Sequence, residues 1–124
     1  MKQLILLCGL LLTNIANAEY IKIDSVNQFN CIVNSRDDVL IVFERKTCPW
    51  CRKQMPIVKK FAEQHDIDVL DVDTEKFPKL TTTWIQKSGV PTFILTKNNG
   101  DTINTFIDSG YRDIDGLIEL VYGE

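Results

Sequence analysis

The sequence predicts a three-layer α/β/α sandwich built on a mixed sheet, parallel strands first and an antiparallel hairpin near the C-terminus. Three observations carry this. Short runs rich in Val, Ile and Leu alternate with stretches of helical periodicity along most of the chain. Val39-Leu40-Ile41-Val42-Phe43 is a continuous apolar run between polar residues, the pattern of a strand buried on both faces. Asn98-Asn99-Gly100-Asp101 separates two β-rich runs, and an Asn-Gly step in that position marks a hairpin.

The elements follow in order. Tyr20-Ile21-Lys22-Ile23 alternates and reads as a short strand. Asp24 or Ser25 can cap a helix running through Phe29 to about Val33. The polar stretch Asn34–Asp38 breaks it, and the apolar run from Val39 forms the central strand. Thr47 is the expected cap of the next helix, with Pro49 just inside it, where a missing N–H costs nothing. Met55, Val58 and Phe61 recur at helical spacing, Pro56 is expected to interrupt and kink the helix, and His65-Asp66 ends it. Val69–Asp73 is a third strand, Phe77 to about Ile85 a shorter helix, and Gln86–Gly89 a loop. Thr92–Thr96 and Thr102–Ile107 form the hairpin. After a break at Gly110, Asp113 can cap a last helix that buries Ile114, Leu117, Ile118 and Val121.

The chain has 124 residues, enough for one domain. Its start has the layout of a secretory leader: Lys2, an apolar run Leu4–Leu12, and a small-x-small site Ala16-Asn17-Ala18. Residues 1–18 are therefore read as a signal peptide and residues 19–124 as the mature domain. The apolar run is too short to span a bilayer, which needs about 20 residues. The whole chain carries a net charge of −3, and the loss of Lys2 leaves the mature domain slightly more negative. That balance argues against nucleic acid as a partner. The C-terminal Val121-Tyr122-Gly123-Glu124 is not an ER-retention signal, so the expected location is the periplasm.

The mature domain keeps Cys31, Cys48 and Cys51. Small exported domains stapled by disulfides carry even numbers of cysteines, so a C-x-x-C plus one more fits a redox pair better than a framework. Cys31, two residues after Phe29, is expected to be a buried thiol. A zinc site would need more ligands than Cys48, Cys51 and the single histidine, His65, provide. An inert bridge across a two-residue gap would add little stability.

Thr47-Cys48-Pro49-Trp50-Cys51-Arg52 lies between a buried strand and a helix start. A helix N-terminus presents free N–H groups and the positive end of the dipole, and thiolates are the reactive form of cysteine. Cys48 is therefore expected to be the nucleophile, aided by Arg45, Lys46, Arg52 and Lys53. Cys51, one turn inward, is the expected resolving thiol. Trp50 between them is expected to be partly exposed to a substrate peptide.

These features together resemble the thioredoxin superfamily over nearly all of the mature sequence. Cys48-Pro49-Trp50-Cys51 matches the active-site loop, Pro56 the helix-kinking proline, and Val90-Pro91-Thr92 the cis-proline segment before a strand. Lys97–Asp101 and Gly110 match the following hairpin turn and glycine. The resemblance implies that Pro91 is cis beside the redox pair and that Val90 offers its backbone to an extended substrate. The sequence departs from thioredoxins proper in Thr47 and in Pro49-Trp50, a Pro-aromatic pair more similar to glutaredoxins and Dsb-type oxidases. It also has Val42 where thioredoxins carry a buried acid, six residues before the first cysteine. Glu44, two residues on, is expected to be a solvated charge at the strand end.

The expected activity is thiol–disulfide exchange through Cys48 and Cys51 with exported protein thiols or disulfides, by a monomer, without metal or organic cofactor. A membrane redox partner is one expected source or sink of electrons, and the direction of flow is open. The alternative is a binding or assembly module of the same fold whose cysteines matter little.

Overall fold

The computed structural model describes residues 18–86, 89–100 and 102–123. The first seventeen of the eighteen residues of the expected signal peptide, two residues of the loop before Gly89, Asp101 of the hairpin turn and Glu124 lie outside them. The order is β1 (Tyr20–Lys22), α1 (Val26–Ser35), β2 (Asp38–Glu44), α2 (Pro49–Gln64), β3 (Asp68–Asp73), α3 (Pro78–Ile85), β4 (Thr92–Asn98), β5 (Ile103–Ser109) and α4 (Ile114–Tyr122). The sheet runs β1-β3-β2-β4-β5. β3 pairs in parallel with β1 and β2, β4 is antiparallel to β2, and β5 is antiparallel to β4.

Local chemistry explains the boundaries. The Ser25 hydroxyl accepts from the Gln28 amide at 3.1 Å and starts α1. Asp113 starts α4 in the same way, its carboxylate taking the Gly116 amide at 2.8 Å. Gly123, at φ 73, ends α4 in the left-handed conformation that glycine adopts freely, and its amide donates to Glu119 at 2.8 Å. At the hairpin, the Gly100 amide donates to the Asn98 side chain and the Thr102 amide to that of Asn99, each at 2.9 Å.

The register sorts the strands' side chains onto two faces. Val39, Ile41, Phe43, Leu70, Val72 and Ile94 meet Phe29, Ile32 and Val33 of α1 and Leu80 and Ile85 of α3. Leu40, Val42, Val69, Phe93 and Leu95 meet Val58 and Phe61 of α2 and Leu117 and Val121 of α4. Trp84 packs edge-on against Phe29, with ring centroids 5.2 Å apart. β2 is buried along its whole length after Asp38, as a strand covered on both faces must be. β5, at the sheet edge, is exposed at nearly every position, including Phe106 and Ile107.

Three expectations are corrected. α2 is capped by Cys48, not Thr47. Pro56 does not break α2, which runs unbroken from Pro49 to Gln64. Pro56 sits on the exposed side, where solvent can replace the amide that the Arg52 carbonyl loses. Cys31 is half-buried rather than buried. It falls between the rows of α1 that carry Phe29, Ile32 and Val33 inward.

Candidate active site

β2 delivers the chain to one edge of the sandwich, and α2 leaves from there. Between them Cys48 adopts an extended backbone, φ −86 and ψ 116, so its side chain folds over the first turn of α2. The Cys48 Sγ accepts the Cys51 amide at 3.1 Å, the role usually taken by a serine or aspartate cap. Pro49 occupies the first helical position, where no donor is lost. The Cys48 amide is itself satisfied by the Arg45 carbonyl at 3.1 Å. Both cysteines are free thiols; Cys48 is 6% exposed and Cys51 0%.

The Val90–Pro91 segment closes the site from the other side. This peptide bond is cis. The Cys48 thiol points at the Val90 carbonyl, at 3.6 Å. Pro91 is buried and Val90 half-buried. The Pro91 carbonyl accepts the Gly110 amide at 2.8 Å, so the segment after β5 is tied to the same corner.

That tie brings in a residue the sequence did not single out. Tyr111 lies against Trp50, ring centroids 5.5 Å apart, and the Lys53 ammonium sits 5.2 Å from the Trp50 centroid and 6.0 Å from that of Tyr111. Trp50 is 56% exposed, matching the expectation that it is partly exposed. Gln54, one turn after Trp50 and fully buried, holds the Tyr111 segment in place. Its side-chain amide donates to the Arg112 carbonyl at 2.8 Å, and its oxygen accepts the Arg112 amide at 2.6 Å. The signal for this latch was a polar residue on the helix face that carries Cys51 and Val58 inward; Tyr111 lies in coil and left no periodic trace.

Beneath the cysteines lies a buried acidic cluster. Glu44 is 5% exposed and Asp71 3%, which overturns the expectation of a solvated strand end. The reason is register. Asp71 pairs with Val42 in the parallel ladder, so it projects on the face that Val42 and Glu44 share. Tyr20, from β1, donates its hydroxyl to one Asp71 carboxylate oxygen. The other oxygen has no hydrogen-bond partner in this reduced form among the described residues. Burial, then hydrogen bonding with Asp71 and the negative charges of Asp71 and Asp73, push the Glu44 carboxyl up to about 8, with Lys22 opposing. A proton on Glu44 supplies the donor that Asp71 lacks. Burial and the bond to Asp71 also raise the Tyr20 phenol above its usual range.

The same physics acts on the inner thiol. Burial first, then hydrogen bonding with Cys48 and the charges of Cys48 and Glu44, push Cys51 up to about 12, against a lowering backbone hydrogen bond with Arg45. Cys51 is thus held as a thiol at neutral pH, behind a more accessible Cys48. The pair fits sequential chemistry, one sulfur meeting the outside and the other held in reserve. Among the described residues no group of three His, Cys, Asp or Glu side chains is placed to hold a metal.

Comparison with known proteins agrees with the fold. The thioredoxin family profile matches residues 20–121. The chain is 30% identical over 106 residues to a protein disulfide-isomerase of Ricinus communis, an alignment covering 80% of this chain. The chain spans about a fifth of that protein's length, the alignment covering 20% of it. A mutant thioredoxin from Halobacterium salinarum superimposes with a TM-score of 0.73 at 25% identity, covering 85% of this chain and 89% of the other. Chloroplastic thioredoxin z gives 0.72 at 20% identity, covering 88% and 95%. The chain belongs to the thioredoxin family, a family of thiol–disulfide oxidoreductases, and carries that family's pair of cysteines in Cys48 and Cys51.

Proposed function

We propose that this protein exchanges disulfides with exported proteins, through Cys48 as the attacking sulfur and Cys51 as the resolving one. The observation that carries the reading is the placement of the Cys48 sulfur, held between the Cys51 amide at 3.1 Å and the Val90 carbonyl at 3.6 Å with the Cys51 thiol fully buried behind it.

In the reducing direction the Cys48 thiolate attacks one sulfur of a substrate disulfide. A mixed disulfide forms, and the other substrate sulfur leaves as a thiolate that takes up a proton. Cys51 then gives up its proton and attacks the Cys48 sulfur, releasing the second substrate thiol. Two electrons pass from the Cys48–Cys51 dithiol to the substrate, and the pair ends as a disulfide. The oxidising direction reverses each step. Trp50 and the Val90 backbone hold the substrate chain beside Cys48, with Pro91 shaping the segment. The leader-like residues 1–18 support export to the periplasm, where a membrane redox partner returns the pair to its starting state.

The test is the equilibrium potential of the Cys48–Cys51 pair in glutathione or dithiothreitol buffers. A value near about −120 to −180 mV identifies a donor or shuffler of disulfides, and one near about −270 mV a reductase. A pair that forms no reversible couple refutes the reading. Cys51→Ser, which halts the reaction at the mixed disulfide, is expected to capture exported proteins in covalent adducts that thiols release.

A further inference from the structure

Four basic residues flank the cysteine pair in the chain, while of the acids near Tyr111, Asp108 is already paired with Arg112. Arg45, Lys46, Arg52 and Lys53 are all exposed, and among the described residues none of them forms a salt bridge. They stand together on a chain whose net charge is −3. Lys53 is not free to wander, because its ammonium sits over two rings, 5.2 Å from Trp50 and 6.0 Å from Tyr111. The rings are 56% and 37% exposed and stand 5.5 Å apart. Tyr111 is fixed from behind by the paired Gln54–Arg112 hydrogen bonds at 2.8 and 2.6 Å. It follows Gly110, whose amide holds the Pro91 carbonyl at 2.8 Å, one residue from the carbonyl that faces Cys48.

We propose that Trp50, Tyr111 and Lys53 form a selective platform for extended protein segments that carry acidic residues beside the reacting cysteine. The proposal rests on the exchange chemistry above and names the substrate class of that site. The rings offer apolar faces on which a chain can lie, and the ammonium held over them pairs with a substrate carboxylate. Arg45, Lys46 and Arg52 extend the positive field around Cys48, so acidic segments arrive faster and basic ones are turned away.

Two synthetic peptide disulfides test this, identical except that glutamates flank the reacting cysteine in one and lysines in the other. The readout is the single-turnover rate constant with the reduced protein, and 2-hydroxyethyl disulfide, which has no flanking residues, is run alongside. The glutamate peptide is expected to react about tenfold faster at about 0.01 M salt, the advantage shrinking toward parity at about 1 M. Lys53→Glu, a change on the surface, is expected to reduce or invert the ratio. If the peptides react within about twofold of each other at low salt while 2-hydroxyethyl disulfide is reduced, the platform is refuted and the exchange chemistry stands. If 2-hydroxyethyl disulfide is not reduced, the exchange chemistry itself fails.

Discussion

Glu44→Gln keeps the shape of a buried side chain and removes its titration. The Glu44 carboxyl is raised from its usual 4.5 to about 8. The folded protein therefore holds a proton that the unfolded chain releases above about pH 4.5. The stability tied to that proton is fully present below about pH 4.5 and is lost as pH rises through about 8. At about 1.4 kcal/mol per unit, the whole shift sets an upper bound of about 5 kcal/mol. About 2–3 kcal/mol of this disappears between pH 5 and 7, and about 1 kcal/mol more between pH 7 and 9. The glutamine cannot ionise, and its amide can still donate to Asp71. Urea unfolding of the reduced wild type and variant at pH 5, 7 and 9 is the assay, read as the difference between the two. Wild-type stability is expected to fall relative to the variant at each step. Parallel profiles, or a wild type that gains on the variant as pH rises, would refute the account of Glu44 as a buried, proton-holding acid.

Other perturbations follow from the packing. Gln54→Leu fills nearly the same space but leaves the Arg112 amide and carbonyl unpaired, and is expected to cost about 2–4 kcal/mol in urea unfolding. The same variant should raise the mobility of Trp50, read as a drop in its fluorescence anisotropy, because the Tyr111 segment loses its latch. Phe61→Ala opens a cavity between α2 and the sheet at a fully buried position, an expected loss of about 3–5 kcal/mol. Asp113→Ala removes the acceptor of the Gly116 amide and should cost about 1 kcal/mol.

The order of elements was legible because its signals are local. The run Val39–Phe43 suits a strand buried on both faces, and the Asn-Gly step between two β-rich runs is a strong hairpin signal. The cysteine pair was legible for the same reason, since strand, loop, Pro49 and helix adjoin in the chain. What escaped depended on pairing between distant segments. Nothing near Glu44 in sequence shows that Asp71 stands beside it; only the parallel register of β2 and β3 does. Asp71 stood in the sequence only as one residue of the strand Val69–Asp73, and it is buried together with Val69, Leu70 and Val72. Tyr111 is held at the site by ties on both sides, Gly110 to Pro91 and Arg112 to Gln54, which lies fifty-eight positions earlier in the chain. The cap was missed on chemical habit: a threonine was preferred to a sulfur as acceptor, and the sulfur holds the amide.

That sulfur cap binds two equilibria into one cycle. The atom that closes the first turn of α2 is also the atom proposed to change bonding in each turnover, and on that proposal the start of the helix is held differently by a thiol, a thiolate and a bridged sulfur. In a closed cycle, any folding free energy that the reduced form gains over the oxidised form must reappear in the redox equilibrium. Each 1.4 kcal/mol of that preference is worth about 30 mV of two-electron potential. Heating curves of the reduced and oxidised protein therefore measure how far the fold shifts the potential of this pair from that of the unfolded chain, and so the protein's stability can be read as a voltmeter for its own active site.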